Sequence, residues 1–165
     1  MTEIRTEKGY MPTVSVIIHT YNNEKFIAET IESVLSQTYK DFEIIVVDDG
    51  SVDGTRDALQ PYMQEIRYHY KENGGIASAK NAGIQLSKTE FIAFLDHDDL
   101  WVPDKLKLQM ECFNENPQVG LVYAKYTSFR GDKELRTKPE KGYNGWIFKE
   151  LLSKSFIQTS TVVVK

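Results

Sequence analysis

Cysteine is nearly missing from this 165-residue chain: Cys112 stands alone, so no intrachain disulfide forms and a small stapled secreted domain is excluded. No run approaches the ~20 consecutive apolar residues that cross a bilayer. The first residues, Met1 to Met11, are polar rather than signal-like. An excess of positive charge is absent too. With 20 basic against 24 acidic residues the net charge is -4, which offers no field to draw in nucleic acid. No G-x-G-x-x-G, Walker A loop or G-x-S-x-G elbow occurs, so a dinucleotide fold, a P-loop and a hydrolase nucleophile lose their main support. The expected location is the cytoplasm or the inner face of the membrane, with membrane attachment only through sequence outside this chain.

What is present is ordinary globular material, 41% hydrophobic and 27% charged, with a generous 12% of aromatics. The length suits a single domain over residues 1–165, with a leader over 1–12. Val14 to His19 reads as a strand, followed by an amphipathic helix from Glu24 to Gln37 that Asn22 or Asn23 can cap. Phe42 to Val47 is apolar on both faces, as a central parallel strand is. A helix from Thr55 to Met63 with Asp53 as its cap, a strand Ile66 to Tyr70, a small-residue helix Ile76 to Leu86 and a strand Phe91 to Leu95 continue the alternation. Pro103 opens a helix whose apolar face is Leu106, Met110 and Phe113, and in which Cys112 reads as a small buried hydrophobe. Beyond it the rhythm changes: a strand over Val119 to Phe129, a turn at Gly131-Asp132, a polar excursion from Glu134 to Tyr143, a short helix Trp146 to Leu152, and a last strand interrupted at Lys165. The pattern is α/β with a mostly parallel sheet, and it reads as incomplete at its C-terminus.

The chemistry concentrates where apolar strands run into carboxylates. Phe91 to Leu95 leads into Asp96-His97-Asp98-Asp99, and Phe42 to Val47 leads into Asp48-Asp49-Gly50-Ser51. Strand ends of open α/β sheets are where ligands bind, and paired carboxylates there call for a cation or a proton. Asp96 and Asp98 are hard oxygen ligands spaced for Mg2+ or Mn2+ that also bridges a diphosphate. Leu100 and Trp101 rule out an EF-hand, because they fall where an oxygen ligand and a glycine are needed. The blander alternative is a solvated acidic turn in which Asp99 caps a helix. Asp48 and Asp49 read either as a turn or as a site where Asp49 accepts the imide N–H of a uracil-like base stacked on Tyr21. His97 is expected to act through its backbone, and His19 to be a satisfied core or rim histidine. Lys80 either meets a phosphate or is solvated.

Four segments, Thr13 to Asn23 (TVSVIIHTYNN), Phe42 to Ser51 (FEIIVVDDGS), Asn73 to Gly83 (NGGIASAKNAG) and Phe91 to Trp101 (FIAFLDHDDLW), closely resemble the family 2 glycosyltransferases of the GT-A fold, in order and spacing. The resemblance implies a Rossmann-like three-layer sandwich and a nucleotide-sugar site across the carboxyl ends of the strands. Carried over residue by residue, it implies that Thr20, Tyr21 and Glu24 border base and ribose, and that Asp49 reads the base. Lys80 stands where many members have arginine near the nucleotide; Asp96 and His97 lie at ribose or sugar, and Asp98, with Asp96, holds the divalent metal. The implied reaction is inverting transfer from a donor, a UDP-sugar favoured, to a glycan or lipid-linked acceptor that the sequence does not specify. The base that deprotonates the acceptor is expected beyond Lys165, so this chain is expected to bind donor without completing transfer. A noncatalytic nucleotide- or sugar-binding module is the alternative. A phosphoacceptor receiver domain fits worse, since its acidic pair sits on the first strand rather than the second and its Lys-Pro ends a later strand, whereas here Lys125 precedes Tyr126.

Overall fold

The computed structural model describes residues 11–131, 133–135 and 142–165. Val14–Thr20 forms β1, and all of its residues are buried, as a strand covered on both faces must be. Phe42–Asp48 (β2) and Phe91–Asp96 (β4) flank it in parallel, and Ile66–Tyr70 (β3) adds in parallel beyond β2. Leu121–Tyr123 (β5) and Val162–Val164 (β8) complete a six-stranded sheet in the order β3-β2-β1-β4-β8-β5, with β8 antiparallel to both its neighbours. Ser128–Arg130 (β6) and Lys133–Leu135 (β7) form a separate hairpin.

Side-chain alternation along the strands divides the core. Val14, Val16, Ile18, Ile44, Val46, Ala93 and Leu95 face one way and pack with α1 (Ile27–Leu35), α2 (Thr55–Leu59) and α4 (Lys105–Glu115). Ile45 and Val47 face the other way, onto Ala79 and the half-buried Ala82 and Leu86 of α3 (Ile76–Leu86). The three layers follow from this division, and each fully buried Ile or Leu contributes about 1.5–3 kcal/mol. α3 lies unusually close to the sheet: a Cβ on Gly83 would come within 2.4 Å of Ile17 Cγ2. The small residues of that helix therefore serve its contact with β1.

Several expected boundaries shift for local reasons. α1 begins at Ile27 rather than Glu24, and neither asparagine caps it: Asn22, in the left-handed region at φ 48°, accepts from Val52 N, and Asn23 donates to His97 O. The helix after β2 stops at Leu59 and continues as a 3-10 turn over Gln60–Tyr62, because Pro61 lacks the N–H that α-helix needs. Gly54 rather than Asp53 is the N-cap of α2, and Asp53, one residue earlier, accepts from Thr55 N and Oγ1. Pro103 precedes α4, which starts at Lys105 behind Asp104. The single strand expected over Val119 to Phe129 is two short ones, β5 and β6, in different sheets. Cys112 is exposed rather than buried, since Leu106, Gln109, Met110 and Phe113 occupy the inward face of α4. The short helix is found at Phe148–Ser153 (α5). Residues 1–10 of the leader, Asp132 and residues 136–141 of the polar excursion lie outside the described residues. Among the described residues no helix is long and apolar enough to cross a membrane.

One buried charge stands out in α4. Lys105 places Nζ 3.6 Å from the centroid of the Trp101 ring and has no hydrogen-bond partner. Burial holds its amine well below the ordinary lysine value of 10.5.

Two stability outcomes follow. Gly83→Ala, which in an exposed helix gains about 1 kcal/mol, is expected to lose about 1–2 kcal/mol here in urea denaturation because the new methyl meets the stiff Ile17. Lys105→Met is expected to raise stability by roughly 1 kcal/mol near neutral pH, the lost cation–π contact offsetting part of the relieved desolvation. The folded lysine is depressed, so the wild type gains stability as pH climbs toward 10.5 and the advantage of Lys105→Met shrinks along the same range.

Candidate functional site

The parallel register sets Thr20 opposite Asp48 and His19 opposite Asp96, so β1, β2 and β4 end side by side. The chain leaves β1 through α1 on one face and reaches β4 through α3 on the other. That reversal opens a crevice at the carboxyl ends of the strands, the place where open α/β sheets bind ligands.

At the end of β2 the carboxylates are held by local donors. Asp48 accepts from Ser51 N at 2.8 Å and from the Tyr68 hydroxyl at 2.6 Å, which folds the turn back on itself. Gly50 is required there twice over: its φ is +86°, and a Cβ would lie 2.9 Å from Asn73 N. Asp49 is buried and accepts from Lys71 Nζ at 2.6 Å, from Gly74 N at 3.0 Å and from Gly75 N at 2.7 Å. Burial alone raises its carboxyl, but the Lys71 ammonium and the two glycine amides outweigh it and hold the group below the usual carboxylate range. The Gly74 N–H is forked, reaching the second oxygen at 3.2 Å as well, so each Asp49 oxygen receives two contacts and the carboxylate is fully engaged.

The β1 side supplies a different set. Thr20 is fully buried and its hydroxyl has no hydrogen-bond partner. Tyr21 is 45% exposed, and its N–H is donated to His97 Nδ1 at 3.3 Å. Glu24 accepts from Gly54 N at 2.7 Å and ties α2 to the β1–α1 loop. A cleft of about 390 Å³ opens beside this rim between Asp48, Ser51, Arg56, Tyr68 and Tyr70. Another hollow, of about 380 Å³, lies at the amino ends of the strands near Thr13, Phe91 and Phe113, away from the carboxylates.

The loop after β4 is gripped from two sides. Asp96 accepts from Lys80 Nζ at 2.8 Å, and His19 Nδ1 lies 3.5 Å from the same oxygen without a hydrogen bond. Burial, then the nearby Lys80 charge, lowers His19 to about 4, so Lys80 is the cation that neutralises Asp96 near neutral pH. His97 stacks on His19, and its carbonyl accepts from Asn23 Nδ2 at 3.2 Å and Thr30 Oγ1 at 2.9 Å. The His97 ring also accepts the Tyr21 N–H, so both its backbone and its side chain tie the loop. Thr30 Oγ1 also reaches Asp99 O, and Ser33 Oγ accepts from Trp101 N. Asp99 caps no helix: its carboxylate accepts from Ser160 Oγ at 2.5 Å. Burial is the main cause raising the Asp99 carboxyl, opposed by the Ser160 bond. Asp98, Asp99 and Leu100 are exposed, and among the described residues the Asp98 carboxylate makes no hydrogen bond or ion pair.

Among the described residues no three His, Cys, Asp or Glu side chains gather into a cage for a metal. The donor set is instead one open carboxylate, Asp98, with Asp96 two residues before it. That suits a hard divalent cation taking the rest of its oxygens from water and phosphate, as Mg2+ sites do. Lys71, Thr30 and Ser160 were not legible as site residues. Thr30 did carry a signal, a polar residue on the apolar face of α1, and Lys71 directly follows β3. Ser160 lies in a polar stretch far along the chain and gives none.

The profile described as Glycosyl transferase family 2 matches residues 15–163. An uncharacterized glycosyltransferase of Rickettsia typhi is 47% identical over 122 residues, which is 73% of this chain and 38% of the relative. WfaP of Escherichia coli, named a UDP-Glc:alpha-D-GlcNAc-diphosphoundecaprenol beta-1,3-glucosyltransferase, is 42% identical over 118 residues, 70% of this chain and 47% of WfaP. Among solved structures, mannosyltransferase PcManGT from Pyrobaculum calidifontis in complex with GDP-Man and Mn2+ superposes with a TM-score of 0.61 at 29% identity, covering 71% of this chain and 36% of that one. The chain thus spans less than half the length of these proteins. The profile runs from β1 through β8, the whole central sheet with its acidic rim, and the chain belongs to glycosyl transferase family 2.

Proposed function

We propose that this chain is the donor-binding part of an inverting glycosyltransferase and that it takes a nucleoside-diphosphate sugar together with Mg2+ or Mn2+. The observation that carries the proposal is Asp98, an unbonded carboxylate on a loop held at the switch point, flanked by carboxylates that already have partners. A UDP-sugar is the preferred donor, supported by the relationship to WfaP, whose name specifies UDP-Glc, at 42% identity against 29% for the GDP-Man-bound PcManGT. A lipid-linked or glycan acceptor is supported by the same relationship, since WfaP's name specifies a diphosphoundecaprenol-linked one, and the proposal places the reaction at the inner face of the membrane.

In this proposal Tyr21 offers an aromatic face to the base, and Asp49 takes an imide N–H in exchange for one arm of its forked bond from Gly74. The orphaned Thr20 hydroxyl, buried beside them, gains a partner from the bound nucleoside. Glu24 borders the ribose from its bond to Gly54. Asp98 and Asp96 hold the cation, whose charge, when bound, stabilises the departing nucleoside diphosphate. Lys80, within reach of the diphosphate through its bond to Asp96, keeps a second positive charge beside the leaving group. None of these carboxylates is assigned the base that deprotonates the acceptor hydroxyl: Asp48, Asp49 and Asp99 are tied to internal donors, and Asp98 faces the diphosphate.

Calorimetry with UDP, GDP and CDP, with and without Mn2+, tests the assignment. UDP is expected to bind tightest and to gain affinity with Mn2+. Asp98→Asn should abolish that gain while leaving Mn2+-free UDP binding within about twofold, whereas Asp49→Asn should weaken UDP roughly tenfold with or without the metal. Binding indifferent to metal in the wild type, or a metal gain that survives Asp98→Asn, contradicts the site.

A further inference from the structure

The bonds around Ser160 exceed what a buried serine needs. The residue precedes β8 in a 3-10 turn over Thr159–Thr161 and is buried. Its hydroxyl accepts from Asp96 N at 3.0 Å and donates to Asp99 Oδ2 at 2.5 Å, and its carbonyl accepts from Trp101 Nε1 at 2.7 Å. One residue therefore grips the start, the middle and the end of the Asp96–Trp101 loop. The neighbouring carbonyl of Thr161 is in turn held by Gln109 Nε2 of α4 at 2.9 Å, so the grip is anchored in the core.

From the opposite side, Asn23, Thr30 and Ser33 bind His97 O, Asp99 O and Trp101 N. Asp98 lies between the two sets and takes part in neither. Two consequences are physical. Asp99 sits next to Asp98, and the Ser160 hydroxyl engages one oxygen of its carboxylate, Oδ2, and so fixes its rotamer. The Asp96 amide, fixed by the same oxygen, sets the direction in which the loop leaves β4.

We propose that Ser160 is a positioning residue for the cation site, acting through Asp96 and Asp99 to present Asp98 as the single open carboxylate; this rests on the donor-site reading above. It touches neither donor nor metal. The segment before β8, remote in sequence from the acidic cluster, thereby becomes part of the machinery that binds the diphosphate.

The test uses the 165-residue chain, with UDP affinity measured by calorimetry in the absence and presence of saturating Mn2+, and exchange of the Asp96 amide followed by NMR. Ser160→Ala is expected to cut the Mn2+-dependent gain in UDP affinity by roughly tenfold, the scale of one hydrogen bond to a charged group, with Mn2+-free affinity within about twofold of wild type. The Asp96 amide should exchange faster in the same variant. Asp99→Asn, which keeps an acceptor for Ser160 but a weaker one, should show a smaller loss. The double variant should lose no more than Ser160→Ala alone, because both changes act on one bond.

A general loss of packing would lower affinity with and without Mn2+ alike, and that pattern overturns the inference. So does a Ser160→Ala protein with the wild-type metal gain, or additive losses in the double variant. If the wild-type chain itself gains no UDP affinity from Mn2+, the donor-site reading fails and this inference falls with it. The wild-type titration thus separates the two failures.

Discussion

Carboxylates converge at one rim of the sheet, and their mutual repulsion is the constraint that the rest of the site answers to. Asp48, Asp49, Asp96, Asp98 and Asp99 all follow apolar strands that end together at the β1 switch point. Like charges so placed raise one another's pKa or require counter-charges and donors. The chain supplies these individually: Tyr68 and Ser51 for Asp48, Lys71 with two glycine amides for Asp49, Lys80 for Asp96, Ser160 for Asp99. Asp98 is left with an open carboxylate. In the proposed reading, that open carboxylate is where an external cation lowers the energy of this rim most.

The same economy explains why loops rather than helix caps absorb the polar side chains near the site. Asn22, Asn23 and Asp99 are residue types suited to capping, yet each bonds across to a different segment. Cross-links of this kind join the β1–α1, β2–α2 and β4–α4 connections into one rigid surface. If the rim holds a diphosphate as proposed, such rigidity serves it, because electrostatic stabilisation is effective only when donors and charges need no rearrangement.

Much of the fold was legible in the sequence because its signals are local. The apolar runs at Val14, Phe42 and Phe91, the small-residue helix at Ile76 and the carboxylates at strand ends are each readable within a few residues. Failures occurred where distant segments decide the outcome. Nothing near Asp99 in sequence shows that Ser160 will take its carboxylate, and nothing near Asp49 shows how completely Lys71, Gly74 and Gly75 surround it. The break between β5 and β6 has the same character: both are β-rich, but only β5 finds a place beside β8. Cys112 was misjudged because helical periodicity alone does not say which of two adjacent faces is filled, and Gln109 took the inward position.

The central claim is that the bound cation lies at Asp98 and depends on the nucleotide to complete its coordination. Paramagnetic broadening of amide NMR signals by Mn2+ tests it directly, with and without UDP. The account predicts weak, diffuse broadening by Mn2+ alone, and with UDP present a strong, localised loss of signal centred on His97, Asp98 and Asp99 and extending to Thr20 and Tyr21. Broadening centred instead on Asp53 and Asp57 beside α2, or no dependence on UDP, would contradict it.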